Sequence, residues 1–436
     1  MKREDASYRS YLAILKEELV PATGCTEPIA IAYAAAVARS YLGALPEHTL
    51  VEASGNLIKN VHSVVVPNTG HQKGIPAAAA AGIIAGDPKA QLQVISEVSS
   101  EQQEQIRTYA AKSCIDVELM DTPYTFDLRI TESAGGDSVS VRITSYHTNI
   151  VTISKNGQMI VDRPITQAES SGLTDRSMMS VEGILEFAEC ADLEDVEPVL
   201  QPQIDCNLAI AEEGLRGNYG ANIGSTLLKS WPDCIEIRCR AYAAAASDAR
   251  MNGCEMPVII NSGSGNQGIT ASVPVIIYAR EKGCSREALE RALLVSNLCT
   301  IHQKTRIGRL SAFCGAISAG AGAGAGICYL EGGGYEGIIH TIVNALAADA
   351  GVVCDGAKAS CAAKISIAVE AGIFGMRMWQ NGQQFYGGDG LVSKGVENTI
   401  RNIGALGHDG MKETDREILR LMLENDRRSR QGSSGS

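Results

Sequence analysis

Ser311-Ala-Phe-Cys-Gly-Ala-Ile-Ser-Ala-Gly-Ala-Gly-Ala-Gly-Ala-Gly-Ile-Cys-Tyr-Leu330 decides how this chain folds. Residues 310–330 carry no charge and are long enough to span a bilayer. Their centre alternates Ala and Gly, however, and such a segment gains little on transfer into lipid. Small residues at this density instead let a neighbouring helix pack against the backbone. The stretch reads as a helix buried inside the protein. With 45 glycines and only 5% aromatic residues, the cores must be built from Ala, Val, Ile and Gly with backbones closely packed.

Outward from that helix, nearly everything after Ser177 has helical character. The clearest segments are 205–230, 238–251, 286–303, 310–330, 335–351 and 359–377. At the other end, helices are expected over Tyr8–Leu19 and from Thr26 or Glu27 to a stop at Gly43. Alternation between Thr49 and Val66 suggests strands, and 75–85 and 88–113 read as helices. Short strands follow at 117–120, 125–130, 139–143 and 149–153, with hairpin turns at Gly135-Gly-Asp and Asn156-Gly. The expected fold class is α+β: a mainly helical domain with an inserted α/β module of short antiparallel strands and helices. The boundaries read as an N-terminal helical arm over 1–44 packing on the helical domain, the α/β module over 45–165 and the helical domain over 175–425. Residues 427–436 have no apolar periodicity and are expected to be a disordered tail.

A chain of 436 residues with 45% apolar and 20% charged content is an ordinary globular enzyme by bulk. Its net charge of −12 argues against nucleic acid and against an anionic membrane, both of which need clustered Lys and Arg. The opening Met1-Lys-Arg-Glu-Asp-Ala-Ser carries both signs of charge, so no secretory signal is expected. Thirteen cysteines then read as thiols or ligands in a reducing cytoplasm rather than as disulfides. A homodimer is left open.

Four cysteines stand in small, glycine-rich settings just before a helical run: Cys25, Cys314, Cys354 and Cys361. Free backbone N–H groups there can donate to a thiolate or to cluster sulfur. Cys25 is preceded by Gly24, and its thiol pKa should fall below the free value of about 8.5, which suits a base near neutral pH. The separation of Cys354 from Cys361 matches neither zinc pairs nor ferredoxin runs, so spacing leaves both a metal site and plain core cysteines open. Gly263-Ser-Gly-Asn-Gln-Gly268 formally matches a dinucleotide fingerprint, but Pro274 lies where its helix should run. The segment reads better as a polar loop in which Ser264, Asn266 and Gln267 meet a small zwitterion. Asn56, Lys59 and Asn60 are further candidates for a substrate carboxylate. His147 and His302 read equally well as hydrogen-bonded structural residues, and no H-x-x-x-H or H-E-x-x-H spacing supports a zinc hydrolase.

Pro21-Ala-Thr-Gly-Cys-Thr-Glu-Pro28, Ser54-Gly-Asn-Leu-Ile-Lys-Asn60, Pro67-Asn-Thr-Gly70, His147-Thr-Asn-Ile-Val151, Ser247-Asp-Ala-Arg-Met251, Asn261-Ser-Gly-Ser-Gly-Asn-Gln-Gly-Ile-Thr270 and Cys354-Asp-Gly-Ala357 together resemble the L-cysteine desulfidase family. That family is related to the alpha chain of bacterial iron–sulfur L-serine dehydratases, and the resemblance runs from about residue 10 to about 425. It implies a cytoplasmic, oxygen-sensitive lyase that splits L-cysteine into hydrogen sulfide, pyruvate and ammonia on a 4Fe-4S cluster that is lost in air. It further implies that Cys314, Cys354 and Cys361 match the cluster cysteines and Cys25 the catalytic base, with the fourth iron open unless Cys25 covers it. Three alternatives remain: L-serine dehydration on the same site, a non-catalytic redox or sulfur sensor, and a pyridoxal phosphate lyase using Lys59, Lys73 or Lys358.

Overall fold

The computed structural model describes the chain except residues 24, 25, 113, 125, 166–172, 309, 310 and 434–436, and its side chains except also those of residues 23, 423 and 426–433. The first half runs α1 (Ala6–Glu18), β1 (Pro21–Thr23), α2 (Thr26–Leu42), β2 (His48–Ala53), α3 (Gly55–Val61), α4 (Gly74–Ala85), α5 (Ser100–Ala110), β3 (Ile115–Leu119), β4 (Asp127–Ala134), β5 (Asp137–Thr144), β6 (Ile150–Lys155) and β7 (Gln158–Asp162). The second half runs α6 (Val181–Cys190), α7 (Leu193–Arg216), α8 (Ile223–Ser230), α9 (Ile235–Met251), β8 (Pro257–Ile259), α10 (Gly265–Lys282), α11 (Arg286–Ile307), α12 (Gly315–Leu330), α13 (Gly334–Asp349), α14 (Cys361–Gln380), α15 (Val396–Ala405) and α16 (Lys412–Ser433). The fold is α+β, and no helix among the described residues is long and apolar enough to cross a membrane.

The Ala-Gly run forms α12, the centre of the larger hydrophobic core. Its glycines work in pairs four residues apart, which places each pair on one face. A Cβ on Gly320 would stand 2.3 Å from the Ala368 carbonyl oxygen, and one on Gly324 2.5 Å from that of Gly372, so this face lies against the α14 backbone. Gly322 and Gly326 face α11 instead, where a Cβ would meet Thr300 Oγ1 at 2.3 Å and the Ala292 carbonyl oxygen at 2.7 Å. The pairings rise together along α12 and α14, so these two helices run parallel with their N-termini side by side. Against α11 they run in opposite directions, which brings the C-terminal turn of α11 to the same end.

A second core lies under a six-stranded sheet of order β3-β2-β4-β5-β6-β7. Each neighbouring pair is antiparallel except β2–β3, which is parallel because the chain crosses over through α3, α4 and α5 between them. On β4 the inward positions are Leu128, Ile130 and Glu132, all fully buried. Both carboxyl oxygens of Glu132 lack a hydrogen-bond partner, and burial pushes the group up to about 8 although Arg39 pulls the other way.

Several sequence expectations change. The expected arm of residues 1–44 is split: α1 packs in the helical core, whereas α2 belongs to the core beneath the sheet. The reason is its almost wholly apolar Ala-rich body, which packs against α4 and the inner faces of β4 and β5. Residues 57–61, expected as strand after an interruption at Ser54-Gly-Asn56, lie in α3, with Leu57, Ile58 and Val61 at helical spacing. Within 88–113 the helix spans only Ser100–Ala110, because Ser99 and Gln102 form a capping box that starts it there. The expected 205–230 helix is two, separated where Asn222 takes a left-handed conformation. The Ser262–Thr270 loop is largely the first turn of α10, capped by Ser264 and continuing through Pro274. Residues 427–433, expected to be disordered, continue α16, whose charges pair at helical spacing between Glu413 and Glu424.

Two outcomes check this account. Gly324→Val should destabilise the protein by about 3 kcal/mol or more through overpacking, whereas Gly351→Ala, with open space at its Cβ, should be nearly neutral in urea melts. Unfolded glutamate titrates near 4.5 but Glu132 near 8, so the folded state retains a proton that the unfolded chain releases between those values. Stability from this group is therefore present below pH 4.5 and lost as pH rises to 8, and Glu132→Gln should flatten that part of a Tm-against-pH curve and raise Tm above pH 8.

Candidate active site

One cleft, partly open to solvent, lies on the seam between the two cores. Its helical wall is built by the ends of α11, α12 and α14. Phe313 pairs with Val353 in an isolated antiparallel bridge, in which the Cys314 N–H donates to the Val352 carbonyl at 3.1 Å and the Cys354 N–H to the Ala312 carbonyl at 2.6 Å. That bridge brings together two cysteines forty positions apart in sequence. Cys314 is also the N-cap residue of α12, and Cys361 opens α14 with its thiol donating to the Gly356 carbonyl at 3.7 Å. All three cysteines line the cleft.

Burial, with the neighbouring Cys354 thiol next, pushes the Cys314 thiol up to about 12; burial raises Cys361 as well. As free thiols they hold their protons, and a bound cation would displace them. Lys364 stands behind them. Burial pulls its ammonium down, but the Asp355 carboxylate outweighs this and leaves it raised. No group of three His, Cys, Asp or Glu among the described residues is arranged to hold a single metal ion. A four-iron cluster asks for something else, since each thiolate binds its own iron. Three cysteines from separate segments on one wall of one cleft fit that donor set.

The opposite wall comes from the core beneath the sheet. Gly356 has φ +94°, and a Cβ there would lie 2.1 Å from the Lys59 carbonyl oxygen, so the cysteine loop presses directly on α3. Asn56, Lys59 and Asn60 on α3 all line the cleft. Lys59 differs from expectation: it is 2% exposed, and its ammonium is bound to Asp415 of α16, which makes it part of the wall before any substrate arrives. Asn60 Nδ2 donates to Glu27 Oε1 at 3.3 Å, and Asn56 Oδ1 is buried without a partner.

Ser264, Asn266 and Gln267 reach the cleft from the first turn of α10. Arg250 Nη1 donates to Asn266 Oδ1 at 3.3 Å, and Gly315 leaves room for the Gln267 amide, which a Cβ would approach to 2.6 Å. The fingerprint glycines thus serve packing: Gly265 lies against the Arg250 guanidinium and Gly268 against the Ile259 carbonyl. The strand before them, β8, pairs antiparallel with β1 and belongs to no parallel crossover unit, so the nucleotide reading fails on topology rather than on Pro274.

Cys25 lies outside the described residues, although the Thr26 and Glu27 that follow it line the cleft. Glu27, Arg250, Lys304 and Lys364 also line it and were not singled out from sequence. The first two stood inside quoted motifs, and none has a spacing rule that marks it. His302 is a buried partner of Glu397 at 2.7 Å, and His147 packs on the Phe126 ring. Of the lysines weighed for a Schiff base, Lys59 is held by Asp415 and Lys358 by Asp355, and Lys73 is not part of the lining.

A family model described as "Serine dehydratase alpha chain" matches residues 89–420. The chain belongs to the serine dehydratase alpha chain family. Within that relationship it is similar to proteins each named "UPF0597 protein". One from Desulfitobacterium hafniense is 59% identical over 423 residues, covering 97% of this chain and 98% of that one. Others from Treponema denticola and Lachnoclostridium phytofermentans are 46% and 48% identical, covering 97% and 95% of this chain and the whole of theirs. The family model begins inside the α/β module, but these relatives extend through Glu27 and Asn56, so both walls of the cleft lie within the shared region. Family membership supports a lyase-type function.

Asp415→Ala would leave the Lys59 ammonium buried without its counter-charge, with an expected loss of about 3 kcal/mol in urea unfolding. The apolar pair Lys59→Met with Asp415→Leu should cost less than that single change.

Proposed function

We propose that this chain is an iron–sulfur-dependent β-eliminating lyase acting on L-cysteine, with hydrogen sulfide, pyruvate and ammonia as products. The observation that carries the reading is the convergence of Cys314, Cys354 and Cys361 on one cleft whose remaining lining is rich in cations and amides. The serine dehydratase relationship supplies the reaction class. The three cysteines would hold a 4Fe-4S cluster, which when bound supplies Lewis acidity towards a substrate carboxylate and a leaving sulfur.

The protein's own groups do the rest. Arg250 and Lys304 offer positive charge to a carboxylate, and Asn266 is pre-oriented by Ser247 Oγ and Arg250 Nη1, each 3.3 Å from its Oδ1. The Cα proton is assigned to Cys25, which directly precedes Thr26 in sequence, as a thiolate base. The enamine released after elimination hydrolyses in water to pyruvate and ammonia.

L-Serine is the second substrate to consider, because the matching family model bears its name. It differs in the leaving group, hydroxide in place of sulfide. The protein is further proposed to work in the cytoplasm and without nucleic acid or membrane; a homodimer is compatible with this reading.

Anaerobic reconstitution with iron and sulfide, followed by sulfide and pyruvate assays on L-cysteine and L-serine, tests the reading. Cys314→Ser, Cys354→Ser and Cys361→Ser should each lower iron content and abolish turnover. Cys25→Ser should keep the iron and visible absorbance while losing activity, and iron lost with it would make Cys25 a ligand instead. No sulfide or pyruvate from either amino acid by a fully loaded protein would move the redox-sensor reading ahead.

A further inference from the structure

The cleft is cationic on an otherwise acidic protein. Lys59, Arg250, Lys304 and Lys364 all contribute to its lining, while among the described lining residues Glu27 is the one Asp or Glu. The other carboxylates close by, Asp355 and Asp415, are bound to Lys364 and Lys59. Glu27 lies in the first turn of α2, whose buried body fixes it rigidly against the sheet. Its carboxylate is oriented from two sides: Asn60 Nδ2 donates to Oε1 and Thr26 Oγ1 to Oε2, both at 3.3 Å. Asn56 lies four residues before Asn60 and hence on the same face of α3, and its Oδ1 is a buried acceptor without a hydrogen-bond partner. The carboxylate of the lining therefore stands on one side of the cleft, whereas Arg250 and Lys304 stand on the other.

A zwitterionic amino acid matches that division. Its ammonium has three N–H donors and no acceptor, and its carboxylate accepts only. We propose that Glu27, with Asn56 Oδ1 beside it, is the receptor for the α-ammonium group of the substrate, so that the cleft selects α-amino acids over the corresponding α-hydroxy acids. This inference rests on the reading of the cleft as the substrate site of an amino-acid lyase, and it adds a specificity-determining residue to it. The selection follows from charge. The ammonium meets the Glu27 carboxylate with charged donors, whereas a hydroxyl presents one neutral donor, and a hydrogen bond between two charged groups is the stronger.

The test uses L-alanine and L-lactate, which differ at the α-substituent and carry no leaving group, titrated calorimetrically into the anaerobically reconstituted full-length protein. The wild type should prefer L-alanine by roughly 10- to 100-fold. Glu27→Gln should bring the two ligands close to parity, mainly by weakening L-alanine. Asn56→Ala should narrow the preference by about 3- to 10-fold. A wild type without preference, or a folded Glu27→Gln protein that keeps it, overturns the assignment. Should Glu27→Gln fail to fold by circular dichroism, Asn56→Ala decides alone, and an unchanged preference there overturns it. Sulfide release from L-cysteine, measured on the same wild-type preparation, separates the two proposals. Preference lost in the variants but no sulfide from the wild type keeps the receptor and removes the desulfidase reading. Sulfide release together with an unchanged preference in the variants does the reverse.

Discussion

The parallel contact between α12 and α14 is what the rest of the structure depends on. Two glycines of α12 and Gly372 of α14 bring the helix backbones together without intervening side chains. Because the helices run in the same direction, their N-termini end at the same place, and Cys314 and Cys361 stand there. Two helix N-termini side by side add partial positive charge and unpaired N–H groups where thiolate or inorganic sulfide would accumulate negative charge. The antiparallel run of α11 returns Lys304 to that end. A bulky residue in the Ala-Gly run would thus displace the cysteines as well as loosen the core.

The cleft gains its chemistry from being a seam. The helical core supplies cysteines, Arg250 and the α10 amides; the core under the sheet supplies Glu27, Asn56 and Asn60. The two walls differ in charge: Arg250 and Lys304 stand on the helical one and Glu27 on the other. Ligand sites concentrate at such junctions because groups of opposite character can be built on separate rigid elements and then brought face to face. The contact of Gly356 with the Lys59 carbonyl sets how closely the walls meet.

Much of this was legible in the sequence, but unevenly. The charge-free Ala-Gly run predicts a buried helix, and the helix is there. Hairpin turns at Gly135-Gly and Asn156-Gly carry the positive φ values their residue types announce. The misplaced elements share a cause: α3 is too short for its period to be told from a strand, and α10 contains a proline that a local rule treats as a stop. The site divides in the same way. Cys314, Cys354 and Cys361, with the α3 and α10 polar residues, could be named because their types are chemically distinctive and their motifs resemble a family. Glu27, Lys304 and Lys364 could not, since a charged residue becomes informative only when the fold shows what faces it. Lys59 illustrates the converse: its partner Asp415 is 356 positions away in sequence.

That last pair has a consequence for biosynthesis. The chain passes from the helical core to the sheet core between α1 and α2, returns after β7, and crosses again when α16 lays Leu419 against Gly55. Residues leave the ribosome from the N-terminus onward, so the sheet core can gather early while α1 must wait for α6 and α7. The counter-ion of Lys59, Asp415, arrives only when α16 emerges. The wall that holds Lys59 is therefore completed only once α16 is made, and a nascent chain can hold all of its cysteines well before that.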